Sequence, residues 1–301
     1  MGAFEELAEG CIAAVLCRTT PVDVGRLSLV SKTFRSAADS DEIWDRFLRS
    51  DPLLIADIIS QFPSLANAPT KRAFYLALSN HPILTRDGRM SVQLDRKSGK
   101  KCYMLAARSL SFGWAGVAWE DFEQNRNWTS MPDSRFPEVV EILNVCRLKI
   151  RGKINTRALS PNTTYATYLV FKMIDGFGFG VKNYPVELSF GVAGGHTRTK
   201  IVILVDPNVK CRRINKILGS QDNKAFRLQQ PRMRSDGWLE TEMGEFFNSG
   251  LEDEEVQMSI TGIKDGYTWK RGFFVEGIEV RPKEDNNQYK LNYGGVLCLG
   301  W

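Results

Sequence analysis

Histidine is almost missing from this chain: His81 and His196 are the two in 301 residues. General acid–base chemistry and nucleophile activation draw on histidine more than on any other side chain. His81 stands in a turn before Pro82 and His196 in the loop GGHTRTK, neither with a serine or cysteine in a nucleophile's setting, so both read as structural. Six cysteines are present, Cys11, Cys17, Cys102, Cys146, Cys211 and Cys298, but no two have CxxC or other metal-ligand spacing. They read as reduced and mostly buried thiols, and neither a metal nor another cofactor is expected. No window approaches the roughly 20 apolar residues that cross a bilayer, and the short CIAAVLC run follows an acidic start where a signal peptide would be basic. A cytoplasmic or nuclear location is expected. The glycine-rich GFGFG lacks GxGxxG spacing and reads as a β-turn.

A strong charge of one sign is also missing. The net charge of +5 is mild for this length and argues against a dedicated nucleic-acid or membrane-surface protein. Its distribution says more: Val145 to Ser235 holds 17 Lys plus Arg against 4 Asp plus Glu, while Asp236 to Val256 holds 8 acids and no base. The basic stretch VKCRRINK with Arg198, Lys200, Arg232 and Arg234 has no interleaved exposed aromatics, so nucleic acid is not expected as a partner. Glu240, Glu242 and Glu245 resemble a glycosidase's carboxylates in type alone. Glu240 and Glu242 alternate near Trp238 as the solvated face of a strand would.

What is present divides in two. From Glu5 to about Asn80 the apolar residues recur at helical spacing, with Thr20-Pro21 and Asp23 opening one helix through a cap, a first-turn proline and an acid near the dipole's positive end. Beyond about Gly99 the period becomes two, as in Leu148, Ile150 and Ile154 alternating with Lys149, Arg151 and Lys153. TYATYLVFKM and KIVILVDP are apolar on both faces and read as inner strands. One helix is expected among the strands, over Asp133 to Val145, with Phe136, Val139, Val140 and Leu143 on one side. The fold class that follows is α+β, an all-helical unit followed by an antiparallel β-sandwich.

The front helices carry more apolar side chains than roughly 45 residues can enclose, Leu29, Val30, Phe34, Ile43, Trp44, Phe47 and Leu48 among them. A partner or the sandwich must cover them. The order Leu7-Ala8-Glu9, Ile12, Val15-Leu16, Pro21 to Val24, Leu29 to Phe34 and Ile43-Trp44 resembles an F-box, and VSKTFRSAADSDEIWDRFL is similar to the version in plant F-box proteins of the phloem protein 2 class. Ala8 stands where that family usually has proline. The resemblance implies docking on a Skp-type adaptor and, through it, a cullin. Leu7, Ile12, Val15, Leu16, Pro21, Val24 and Val30 would face the adaptor, while Phe34 and Trp44 would hold the helices together or edge the interface.

The resemblance continues from KSGKKCYMLAARSLSF to GFFVEGIEVRPKE, which are similar to the Nictaba-like lectin domain, a jelly-roll-like β-sandwich whose members bind N-acetylglucosamine oligomers or N-glycan cores. Trp114 and Trp128 match two of that family's tryptophans and are the implied sugar-stacking residues. Where the family has a central Tyr-Trp pair this chain reads Asn125-Arg126, with Trp119 displaced. The expected organisation is an F-box over 1–50, a helical linker over 51–98, the sandwich over 99–284 and a mobile tail over 285–301. The expected function is a non-catalytic substrate receptor of a Skp–cullin–F-box ubiquitin ligase that captures a target protein or glycoprotein. The alternative is a stand-alone carbohydrate-binding protein without a ligase role.

Overall fold

The computed structural model describes residues 9–48, 52–114, 125–143, 148–173, 185–204, 231–262 and 272–283. Leu7, the GFGFG turn and the 285–301 tail lie outside these described residues. Helices come first: α1 (Glu9–Leu16), α2 (Pro21–Leu27), α3 (Lys32–Asp39), α4 (Asp41–Leu48), α5 (Pro52–Gln61), α6 (Pro63–Ala66) and α7 (Lys71–Asn80). Three of them begin on the same device, a hydroxyl that accepts from the backbone N–H three residues on: Thr20 from Asp23, Ser31 from Phe34 and Thr70 from Ala73. Thr20 also donates to the Asp23 carboxylate at 2.6 Å, closing a reciprocal cap.

α1 and α2 pack on α3, α4 packs on α7, and α7 packs on the Met90–Leu94 strand. Trp44 centres the unit. Its indole N–H donates to the Ala38 carbonyl at 2.7 Å, and its ring meets Phe47 and Tyr75 at centroid distances of 5.8 and 5.2 Å. Replacing it by phenylalanine (W44F) keeps a ring but leaves that carbonyl without its donor, a loss of about 1–3 kcal/mol. Thermal melting followed by helical circular dichroism checks it; an unchanged midpoint would mean that water replaces the indole.

The strands are β1 (Ile83–Leu84), β2 (Met90–Leu94), β3 (Lys101–Ala106), β4 (Ser111–Trp114), β5 (Arg126–Thr129), β6 (Val139–Ile142) and β7 (Leu148–Asn155), then β8 (Thr163–Met173), β9 (Pro185–Val192), β10 (Thr197–Ile203), β11 (Arg232–Met233), β12 (Leu239–Asn248), β13 (Glu255–Gly262) and β14 (Phe273–Pro282). They form two antiparallel sheets. The first runs β1-β2-β3-β14-β8-β12-β11, with β6 paired to β14 and β5 to β6; the second runs β10-β9-β13-β7-β4. Their inner faces meet in an apolar core where Phe190 of the second sheet packs on Phe246 of the first at 5.6 Å between centroids. Gly244 permits that approach, since a side chain there would begin 2.8 Å from the Phe190 ring. The expected helical unit and antiparallel sandwich are therefore what the chain forms.

Four local expectations need correction. The described part of the expected 133–145 helix, residues 133–143, is not helical: 135–137 bend and Val139–Ile142 is β6, paired with β14 and β5, while residues 144 and 145 lie outside the described residues. Val139, Val140 and Ile142 are all fully buried, so the run that mimicked a helical stripe is a strand covered on both faces. The 51–98 segment is helical only to Asn80; β1 and β2 then join the first sheet, because Val92 and Leu94 bury their side chains there. β10 ends its sheet among the described residues, where an inner strand was expected. Of the cysteines expected to be mostly buried, Cys11 is exposed and Cys17 and Cys102 are partly so, while Cys146, Cys211 and Cys298 lie outside the described residues.

The helices do not sit apart from the sandwich. The Tyr75 hydroxyl donates to the Asp95 carbonyl at 3.1 Å, the Gln93 amide donates to the Ser79 carbonyl at 2.7 Å, and the Val22 N–H reaches the Lys97 carbonyl at 3.4 Å. At the same seam Gly99 holds a φ of +73°, and a Cβ there would lie 3.3 Å from Pro21 and 3.4 Å from the Tyr75 hydroxyl. The sandwich thus supplies part of the cover the short helices need, and one apolar core runs through both.

Candidate functional site

The residues expected to face an adaptor divide sharply. Ile12, Leu16 and Val24 are at most 1% exposed, and Pro21 is buried against the Gly99 turn. In the free chain these four are core residues and not an open docking face, because the period that aligned them on one stripe is the period that turns them onto α3 and the sandwich seam. Phe34 and Trp44 are buried too and hold the helices together, the first of the two roles expected of them. Val15 and Val30 remain outside, 54% and 64% exposed, together with Leu29 at 76%. Val15 lies on the solvent side of α1, and Leu29-Val30 forms the turn between α2 and α3. Adjacent large aliphatics in a tight turn are an uncommon surface for a chain with a well-filled interior.

The two tryptophans stand differently. Trp114 ends β4 opposite Leu148, and its side chain lies outside the described residues, as does Trp119. Trp128 is on β5, half-buried, with the Arg108 guanidinium 3.7 Å from its ring centroid, Arg126 at 5.4 Å and Phe112 edge-on at 6.4 Å. Arg108 is itself held by the Glu138 carboxylate at 2.7 Å. A sugar ring would have to displace that guanidinium to stack on the same face.

Glu240 does not belong to a solvated strand face. It lies under Arg234 and Arg281 on the outer side of the first sheet, accepting from Arg281 at 2.7 and 2.8 Å and from Arg234 at 3.2 Å. Glu279 accepts from Arg234 at 2.6 Å, also pairs with Arg281, and has Arg135 at 3.5 Å. Arg281 is stacked over Tyr168 at 3.8 Å. A bulge between Val275 and Gly277 turns Glu276 to this side, where it accepts from the Ser134 hydroxyl and the Arg135 N–H at 3.0 and 2.8 Å. The cluster therefore clamps the 131–136 segment to the sheet. Three guanidinium groups engage the Glu240 and Glu279 carboxylates, which makes this pair part of an ion cluster rather than a spaced acid and base; the Oε2 of Glu276 is buried without a hydrogen-bond partner among the described residues. The same geometry takes Arg234 out of the basic surface that its sequence neighbourhood implied.

Reading by spacing treated Lys149, Arg151 and Lys153 as the wet side of an alternating strand. They do point outward, but they do so into a groove. The signal that could have found it is the serine pattern of β4, β9 and β13, which becomes visible only once strand register is known.

Comparison with known proteins agrees with the two-part organisation. The family model for the F-box domain matches residues 4–46 and that for phloem protein 2 matches residues 100–282. The chain is similar to the F-box protein PP2-B12 of Arabidopsis thaliana, 42% identical over 281 residues, covering 93% of this chain and 98% of that protein. It is also similar to the F-box protein PP2-B10 of the same plant, 36% identical, covering 93% of this chain and 94% of that protein. Among solved structures, TmCBM61 in complex with β-1,4-galactotriose aligns over 59% of this chain and 91% of its own, at 9% identity and a TM-score of 0.31, a likeness too slight to carry weight.

Proposed function

As a member of the F-box proteins that carry a phloem protein 2 domain, a membership its matches establish, this chain has, we propose, the task of a substrate receptor in a Skp–cullin–F-box ubiquitin ligase. The helical unit tethers it to the adaptor and the sandwich presents the target. The observation that carries this reading is the exposure of Val15, Leu29 and Val30 on α1 and the α2–α3 turn, beside the buried Ile12, Leu16 and Val24. The adaptor supplies the cover that the sandwich does not. The receptor makes and breaks no bonds itself; holding a target near the conjugating enzyme raises the local concentration of its lysines. The close seam at Tyr75, Gln93 and Gly99 favours a fixed distance between tether and target, which such proximity needs.

The target is a protein or glycoprotein met in the cytoplasm or nucleus. N-acetylglucosamine oligomers are a narrower option, since the Trp128 face is covered by Arg108. The test is co-elution of the purified full chain with a Skp-type adaptor and a cullin on size-exclusion chromatography. A complex at micromolar concentration supports the receptor. Retention on chitin with no adaptor complex would replace it with the stand-alone carbohydrate binder.

A further inference from the structure

We propose that the outer face of the second sheet binds a phosphate monoester carried on an extended peptide, seated on Arg151 and Lys149. The face is hollowed into a groove of about 570 Å³ across β4, β7, β13 and β9. Register sets its chemistry. Arg151 of β7 stands between Ser111 of β4 and Ser259 of β13, and Ser189 of β9 lies next beyond Ser259. One rung along the same strand, Lys149 stands between Gly113 and Thr261. Neighbouring strands are about 4.8 Å apart and same-face residues on one strand about 7 Å apart. An oxyanion over Arg151 is therefore within side-chain reach of two hydroxyls and one ammonium.

These groups are uncommitted. Among the described residues, Lys149, Arg151, Ser111, Ser189 and Ser259 make no ion pair or side-chain hydrogen bond. Lys153, the third cation of the strand, is instead paired with Glu255 at 2.9 Å, so the one carboxylate among the described residues that line the groove is already engaged. A guanidinium fork flanked by hydroxyls matches the three acceptor oxygens and the charge of about −1.5 to −2 of a phosphate monoester.

The same inventory excludes other ligands. Among the described residues no aromatic side chain lines the groove, so a sugar ring finds none of them to stack on. Two uncommitted cations on one strand are too few to follow a nucleic-acid backbone. The turn at Gly194, where a Cβ would meet nothing within 4 Å, leaves room at the end of the groove for an extended chain to run alongside the phosphate. The site deepens the receptor reading, on which its role in target capture rests, while the binding itself is measured without the adaptor.

The test is fluorescence anisotropy of the full chain with a labelled pool of nonapeptides, degenerate except for a central phosphoserine, against the same pool with serine. The phosphorylated pool should bind about tenfold tighter or better. Arg151→Gln should erase that advantage, Lys149→Gln should reduce it by about threefold or more, and Lys153→Gln should leave it within about twofold. All three side chains are at the surface, and an unchanged near-ultraviolet dichroism spectrum verifies the fold. Equal binding of both pools, or an advantage that survives Arg151→Gln, overturns the proposal. So does chitotriose or a single-stranded oligonucleotide that binds more tightly than the phosphopeptide pool and loses that binding in Arg151→Gln. Displacement of the peptide by inorganic phosphate at equal concentration overturns the peptide part. Adaptor co-elution should be unchanged in every variant, so a failure here leaves the tether reading standing, and the converse holds.

Discussion

Replacing Glu279 by glutamine (E279Q) is expected to lower the free energy of unfolding by about 3–5 kcal/mol, the cost of removing one member of a buried ion cluster. The carboxylate is 7% exposed and meets Arg234 at 2.6 Å, Arg135 at 3.5 Å and Arg281 directly. An amide of the same shape puts a donor where three guanidinium groups require an acceptor, and leaves Glu240 and Asp236 to balance them. Urea unfolding followed by tryptophan fluorescence measures the loss. E138Q is the matched control. Glu138 pairs with Arg108 at 2.7 Å, but both side chains are more than 40% exposed, so that change should cost no more than about 1 kcal/mol. Equal losses in the two variants would mean that water enters the Glu279 cluster freely.

Acid sensitivity should come from the same group. Burial alone would raise its pKa, but the pull of Arg234, Arg281 and Arg135 outweighs burial and brings it down to about 2. An unfolded glutamate takes its proton near about 4.3. The stabilisation from Glu279 is therefore full above that value and is lost as pH falls through about 2. Glu276 acts in the opposite direction: burial raises its pKa despite the hydrogen bonds from Arg135 and Ser134, so its contribution is present at low pH and fades as it ionises. In E279Q the stability profile should flatten between about pH 4 and pH 2. A wild-type profile already flat there would contradict a charged Glu279 in the fold.

Much of this architecture was legible because its signals are local. The cap at Thr20 lies within three residues of the group it satisfies. The β7 alternation of Leu148, Ile150 and Ile154 with three cations shows directly in its burial pattern. The failures were non-local. Phe136, Val139, Val140 and Leu143 have helical spacing on paper, and Glu276 and Glu279, more than 130 residues away, fix the 134–136 stretch so that a strand follows. Glu240 looked solvated because Arg281, its partner across 41 residues, was invisible to a period of two. Ile12, Leu16, Pro21 and Val24 share one cause of error. An apolar stripe declares that something covers it, but the covering surface here includes a turn at Gly99 that no helical pattern announces.

Loss of the adaptor is expected in a chain carrying Val15→Asp and Val30→Asp, with affinity falling by about thirtyfold to a thousandfold. Fully burying an exposed valine is worth roughly 1.5–3 kcal/mol; with about half of each side chain left to cover, each contributes about 1–2 kcal/mol, and an unpaired carboxylate in the same place adds a desolvation cost. Because the two side chains are 54% and 64% exposed in the free chain, neither substitution disturbs its interior, and the melting temperature should hold. Ile12→Asp is the informative contrast. That side chain is 1% exposed, so the variant should lose the helical unit itself, and with it the adaptor, through unfolding. Titration calorimetry against a purified Skp-type adaptor separates the two cases when read beside the melts. If V15D/V30D binds as tightly as the wild type, the open aliphatic surface is not the tether. The adaptor would then have to pry Ile12, Leu16 and Val24 out of the core, which adds an opening cost to every binding event. That cost would appear as slow, temperature-dependent association that a stabilising change in the α1–α3 contact makes slower still.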